Sequence, residues 1–173
     1  MGGVIALDFG SRYQDRVATL TLCDSSPGFG SLSQARRAEF IRLRQKHLLA
    51  GKEPRDIAPA VAQSPLGKNP RAGASEQLVA SMSALHKQSY LKTIAATVNY
   101  SRKFDLEKIV APTHVVVGEQ ETLTPPSMSR ELARRILGAL LTIIEGAGHL
   151  SNIEQPETFN RAVLDFLIGH SER

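Results

Sequence analysis

The chain has 173 residues, enough for one domain of ordinary size, and its 42% hydrophobic and 22% charged residues exclude a disordered or fibrous protein. Lys and Arg outnumber Asp and Glu by 21 to 17, for a formal charge of +4. Much of that excess lies in QARRAEFIRLRQKHLLAGKEPR, which reads as a solvated helix face; without an RNA-binding aromatic signature or zinc-finger spacing, no nucleic-acid partner is expected.

The single cysteine, Cys23, leaves no internal disulfide framework and points to a reducing compartment. With no leader pattern and no long apolar run, a cytoplasmic chain without a membrane span is expected.

Residues 2–16 read as a helix, with Ile5, Phe9 and Tyr13 four apart on one face and Val4 and Ala6 beside them. VATLTLC follows as a buried strand, closed by a turn over 24–31 that is rich in serine, proline and glycine. In this reading Cys23 is a small buried hydrophobe, and Ser25 and Ser26 serve turn chemistry. The GFGS segment lacks the fuller glycine pattern of a phosphate cradle and reads as a hinge.

From Ser33 to about Arg102 strand signals disappear and helix-length pieces are broken at AGKEP, SPLGKNP and RAGAS. Leu78, Met82 and Leu85 share one helical face, and Leu91, Ile94, Ala95 and Val98 another. The stretch is expected to be an all-helical insertion.

Strand signals return in APTHVVVGEQE, whose valine run suits a strand covered on both faces. TPPSMSRELARRILG then predicts a helix with Thr124 as N-cap, Pro125 in the first turn, Met128, Leu132 and Ile136 inward, and Gly138 as the stop. ALLTIIEGAGH is a third strand ending in glycines. QPETFNRAVLDFLIGH closes as a helix with an apolar stripe of Phe159, Ala162, Val163, Phe166 and Leu167. Strands alternating with helices imply a parallel sheet, and active groups gather at the carboxyl ends of such strands. Those ends carry Cys23 and Asp24, then Glu119 and Glu121, then His149. An acid followed by a histidine is the chain order of a hydrolase triad.

With MGG running into a helix, VVVGEQETLTPP, and IEGAGHLSNIEQPETFNRAVLDFL, the sequence resembles the α/β-hydrolase superfamily, and within it enol-lactonase-like members related to 3-oxoadipate enol-lactone hydrolases. The resemblance implies an α/β chain with a partial α/β-hydrolase fold: three parallel carboxyl-terminal strands with flanking helices, and an inserted helical cap. The core would comprise 1–24 and 105–173, and the cap 25–104.

It also implies hydrolysis of a small carboxylic ester or enol lactone by a Ser-His-acid mechanism, with no cofactor; no metal is expected, because no two histidines stand at helical ligand spacing with an acid between them. Aligned with the family's Gly-x-Ser-x-Gly, Met1 falls just after the serine and Gly2 on the final glycine, so the serine and the amino-terminal half are expected to be encoded upstream. His149 is then the general base, Glu121 its orienting acid with Asp24 as the alternative, and Met1 the oxyanion-hole residue through its amide. The chain alone is expected to be inactive. Alternatives are a thioesterase or C–C bond hydrolase of the same family, or a non-catalytic remnant or binding module.

Glu119 reads as a solvated loop residue, and His47, His86, His114 and His170 as surface or packing residues. The exposed edge of the first strand makes self-association an expectation.

Overall fold

The computed structural model describes residues 1–100 and 102–171. In chain order it contains α1 (Gly2–Arg12), β1 (Leu20–Cys23), α2 (Gln34–Leu49), α3 (Pro54–Val61), α4 (Ala74–Ser83) and α5 (Lys87–Asn99). Then come β2 (Thr113–Gly118), α6 (Pro126–Arg135), β3 (Leu140–Ile144), α7 (Ser151–Glu154) and α8 (Pro156–Ile168). The described residues form two compact units: one of Met1–Pro27, Pro65–Arg71 and Phe104–Arg173, the other of Gly28–Ser64 and Ala72–Lys103. Residues 65–71, which the sequence reading put inside a continuous helical insertion, group with the sheet.

The first unit is built on a parallel sheet of order β1-β2-β3, with Leu22 opposite Val115 and Val116 opposite Thr142. Every residue of β2 is buried, as a central strand covered on both faces requires, and this accounts for its unbroken valine run. Because side chains alternate along a strand, the two faces have separate cores. One holds Leu20, Leu22 and Val115 with Val4 and Leu7 of α1, and Leu132 of α6 followed by Ile136. The other holds Val116, Ile144 and Ala147 against Phe159 and Val163 of α8. Helices on both faces of a parallel sheet make this a three-layer α/β arrangement.

The second unit is helical. Its core is Leu48 of α2, Ile57 of α3 and Leu91 of α5, with Val61 and Tyr90 packed against them. Ser33 caps α2 by accepting from the Arg36 N–H at 3.3 Å, and Glu53 and Asp56 form a reciprocal capping box at the start of α3.

Two local expectations change. The initial helix ends at Arg12, and it buries Val4, Leu7 and Gly10 rather than the four-apart aromatic face. Ile5, Phe9 and Tyr13 remain 60%, 46% and 42% exposed. A period of four residues drifts around a helix of 3.6 residues per turn, so such a row need not be the core stripe. In α6 the N-cap is Pro125, and Met128 is exposed while Leu132 and Ile136 are buried. Thr124 is displaced from capping because its hydroxyl donates to Glu121 at 3.1 Å.

The orientation of α1 predicts that Leu7→Ala lowers unfolding stability by about 2–5 kcal/mol, whereas Ile5→Ala costs less than about 1 kcal/mol. Urea titration of the two variants checks this.

Candidate active site

The carboxyl ends of the three strands bring together four acidic side chains and one imidazole. Beyond β2 the backbone turns within one residue: Glu119 N–H donates to Ile144 O at 2.9 Å and Gln120 N–H to Ala147 O at 2.8 Å. These bonds tie the end of β2 to the loop after β3. The closeness demands glycine, since a Cβ on Gly118 would stand 2.2 Å from Gly148 O. Gly146, at φ 71°, makes the left-handed turn that starts the histidine loop. Glu119 is exposed, as expected, yet it also accepts from the Gly146 N–H at 3.1 Å.

Glu121 and His149 meet across this junction. His149 Nδ1 is hydrogen-bonded to Glu121 Oε2, with the Glu121 side chain fully buried and that of His149 31% exposed. Leu123 N–H donates to Glu121 Oε1 at 2.5 Å, and the Thr124 hydroxyl donates to Oε2. Burial pushes the Glu121 carboxyl up. The bond and charge of His149, with the Leu123 and Thr124 backbone donors, outweigh burial and leave it below the ordinary glutamate value. With Nδ1 engaged by the carboxylate, Nε2 is the ring nitrogen left for proton exchange.

Asp24, the alternative acid, is directed elsewhere. It is buried at φ 42°, in the left-handed region. Its Oδ1 accepts from the Gly118 N–H at 2.8 Å, and its Oδ2 accepts from the Ser151 hydroxyl at 2.6 Å and the Ser151 N–H at 3.3 Å. Asp24 thus staples the end of β1 to the end of β2 and the start of α7, while the carboxylate on the imidazole is that of Glu121. Burial raises the Asp24 carboxyl despite these donors.

Met1 caps α1, its carbonyl accepting from Val4 N–H at 3.0 Å and Ile5 N–H at 3.2 Å. Burial lowers the pKa of its amino group. Ser25 packs against this first turn, so closely that a Cβ on Gly3 would stand 1.8 Å from its Oγ. His114 is a packing residue: it is buried in β2, with Nε2 bonded to Thr142 Oγ1 at 2.9 Å and its ring 5.0 Å from Phe166.

The sequence reading missed Ser151, Gln120 and Glu154. Ser151 is the partner of Asp24, and Gln120 Oε1 accepts from the Lys68 N–H at 2.6 Å. Glu154, buried, accepts from the Gly148 N–H at 2.9 Å and the Gly67 N–H at 2.7 Å. An acid before Gln-Pro reads locally as an exposed helix-start residue, and its burial comes from a segment distant in sequence.

The family model described as "alpha/beta hydrolase fold" matches residues 1–156. The chain belongs to this family. It is 28% identical over 176 residues to a putative carbamate hydrolase RutD of Rhizobium rhizogenes, an alignment covering 99% of the chain and 66% of that protein. A thermophilic esterase from Thermogutta terrifontis superposes with a TM-score of 0.80 at 26% identity, covering 98% of this chain and 62% of that one. The enol-lactonase of Burkholderia xenovorans shares the fold at a TM-score of 0.76 and 24% identity, covering 97% of this chain and 63% of that one. The chain therefore spans less than two thirds of the length of these relatives. Among the described residues no helix is long and apolar enough to cross a membrane.

Cys23 lies beside this cluster but is poorly suited to attack. Burial, and then the negative charge of Asp24, push its thiol up to about 12. A raised pKa depletes the thiolate at any pH below it, so alkylation of the native chain by iodoacetamide at pH 8 is predicted to be about a thousandfold slower than in the urea-unfolded chain. Mass spectrometry of quenched aliquots reads both rates.

Proposed function

We propose that this chain carries the histidine and acid of a Ser-His-Glu hydrolase whose serine precedes Met1, and that the complete enzyme cleaves a small carboxylic ester or enol lactone. The observation that carries this reading is the pairing of a buried Glu121 carboxylate with His149 Nδ1 at adjoining carboxyl ends of β2 and β3. The relatives support the reaction class: those named for carbamate and methyl ester hydrolysis act, by name, on carbonyl groups of the same electronic type.

In this mechanism His149 Nε2 removes the serine hydroxyl proton as the oxygen attacks the substrate carbonyl. The resulting imidazolium is stabilised by Glu121, which stays ionised because its carboxyl is held low. Backbone N–H groups, that of Met1 among them once a peptide bond precedes it, receive the developing oxyanion. His149 then returns the proton to the departing oxygen, leaving an acyl-enzyme. Water attacks that acyl group by the same relay in reverse and releases the acid.

The helical unit would serve as the lid that selects substrate by shape. The free edge of β1 would pair with the strand preceding the serine, and without that strand the chain would self-associate.

The test compares the chain alone with the chain joined to the segment encoded upstream of Met1. The joined protein is expected to hydrolyse p-nitrophenyl acetate, with His149→Ala reducing kcat by about a thousandfold or more. The chain alone is expected to show no turnover. Turnover by the chain alone that disappears in His149→Ala contradicts the proposal and reveals a nucleophile within residues 1–173.

A further inference from the structure

The turn carrying His149 is held by groups outside the proposed triad. Glu154, the last residue of α7, divides its carboxyl oxygens between a nearby and a distant backbone donor: Oε1 takes the Gly148 N–H and Oε2 the Gly67 N–H. One side chain therefore grips both the residue immediately before His149 and a residue 87 positions upstream of itself.

Two more bonds converge on the same upstream segment. Pro65 O accepts from the His149 N–H at 2.6 Å, and the Lys68 N–H donates to Gln120 beside Glu121. Residues 65–68 thus form a strap over the histidine turn, fastened through Glu154, through the His149 backbone, and through the Glu121 loop. The fit admits no side chains at its centre: a Cβ on Gly148 would stand 2.5 Å from Pro65 O, and one on Gly67 2.7 Å from Gly146 O. A buried carboxyl is costly unless donors meet it, and here both oxygens are met.

The strap belongs to the sheet unit, although the chain on either side of residues 65–71, at 28–64 and 72–103, belongs to the helical unit.

We propose that Glu154 is a positioning residue, fastening the Pro65–Lys68 strap to the histidine turn so that His149 Nδ1 meets Glu121. This deepens the proposed function and rests on its reading of His149 as the proton carrier. The loop after β3 contributes only part of the restraint on His149, and the carboxyl of Glu154 supplies the part that sheet hydrogen bonds cannot reach.

Amide hydrogen exchange and proton NMR on the 173-residue chain test this without requiring activity. In Glu154→Ala, exchange at Gly67 and Gly148 is expected to accelerate about tenfold or more, with Val115–Val117 unchanged. The low-field Nδ1 proton signal of His149 is expected to broaden in the same variant. Glu154→Gln, which keeps the shape but only one acceptor oxygen, is expected to protect just one of the two glycine amides.

Wild-type exchange at Gly67 and Gly148 in Glu154→Ala overturns the inference, and so does an unchanged Nδ1 signal once those amides have opened. If Glu154→Ala unfolds and accelerates every amide together, Glu154→Gln decides: lost protection at one glycine over an intact sheet supports the inference, and full protection at both overturns it. Failure of the hydrolase reading shows separately, as hydrolysis by the upstream-joined protein that survives His149→Ala.

Discussion

A carboxylate buried at the junction of two parallel strands is tolerable only when donors surround it, and Glu121 sits under this constraint. His149, Leu123 and Thr124 supply those donors from the two loops that leave β2 and β3. Meeting that requirement fixes the imidazole, shapes the turn before α6, and takes Thr124 away from its expected helix cap. The same donors hold the carboxyl low, and that low value is what an imidazolium needs from its partner.

The surrounding architecture repeats the device. A parallel sheet leaves its strand ends without ladder partners, and the loops there need some other means of registration. Asp24 joins Gly118 to Ser151, Glu119 takes Gly146, and Glu154 takes Gly148 and Gly67. Acidic side chains thus accept backbone N–H groups at each of the three strand ends. Only Glu121 turns its carboxylate to an imidazole. The glycines between them follow from the closeness of the layers, since Gly118 and Gly148 leave no space for a Cβ.

Much of this was legible in the sequence, and the rest was not for identifiable reasons. The valine run of β2 and the apolar stripe of α8 are local patterns set by period: β2 is buried throughout, and α8 buries Phe166 and packs Phe159 and Val163 against the sheet while Leu167 stays 40% exposed. His149 lies in the turn after β3, following Gly148. The adjacency of Glu121 and His149 follows from the order of the strands. The outward turn of Ile5, Phe9 and Tyr13 was hidden because every side of α1 carries apolar residues, so period alone does not select the buried one. Glu154 and the Pro65–Lys68 strap were hidden for a stronger reason: their bonds join positions 87 and 52 residues apart, and no local pattern encodes such a meeting.

In the proposed site the bond to Glu121 fixes the tautomer of His149, with the proton on Nδ1 and Nε2 free to act. Nitrogen-15 NMR of the imidazole at a pH where it is neutral measures this directly. An Nδ1-protonated ring is expected in the unsubstituted chain, and a mixture shifted toward the Nε2-protonated form in Glu121→Gln. An Nε2-protonated ring in the unsubstituted chain, or a tautomer ratio indifferent to the substitution, would contradict that assignment.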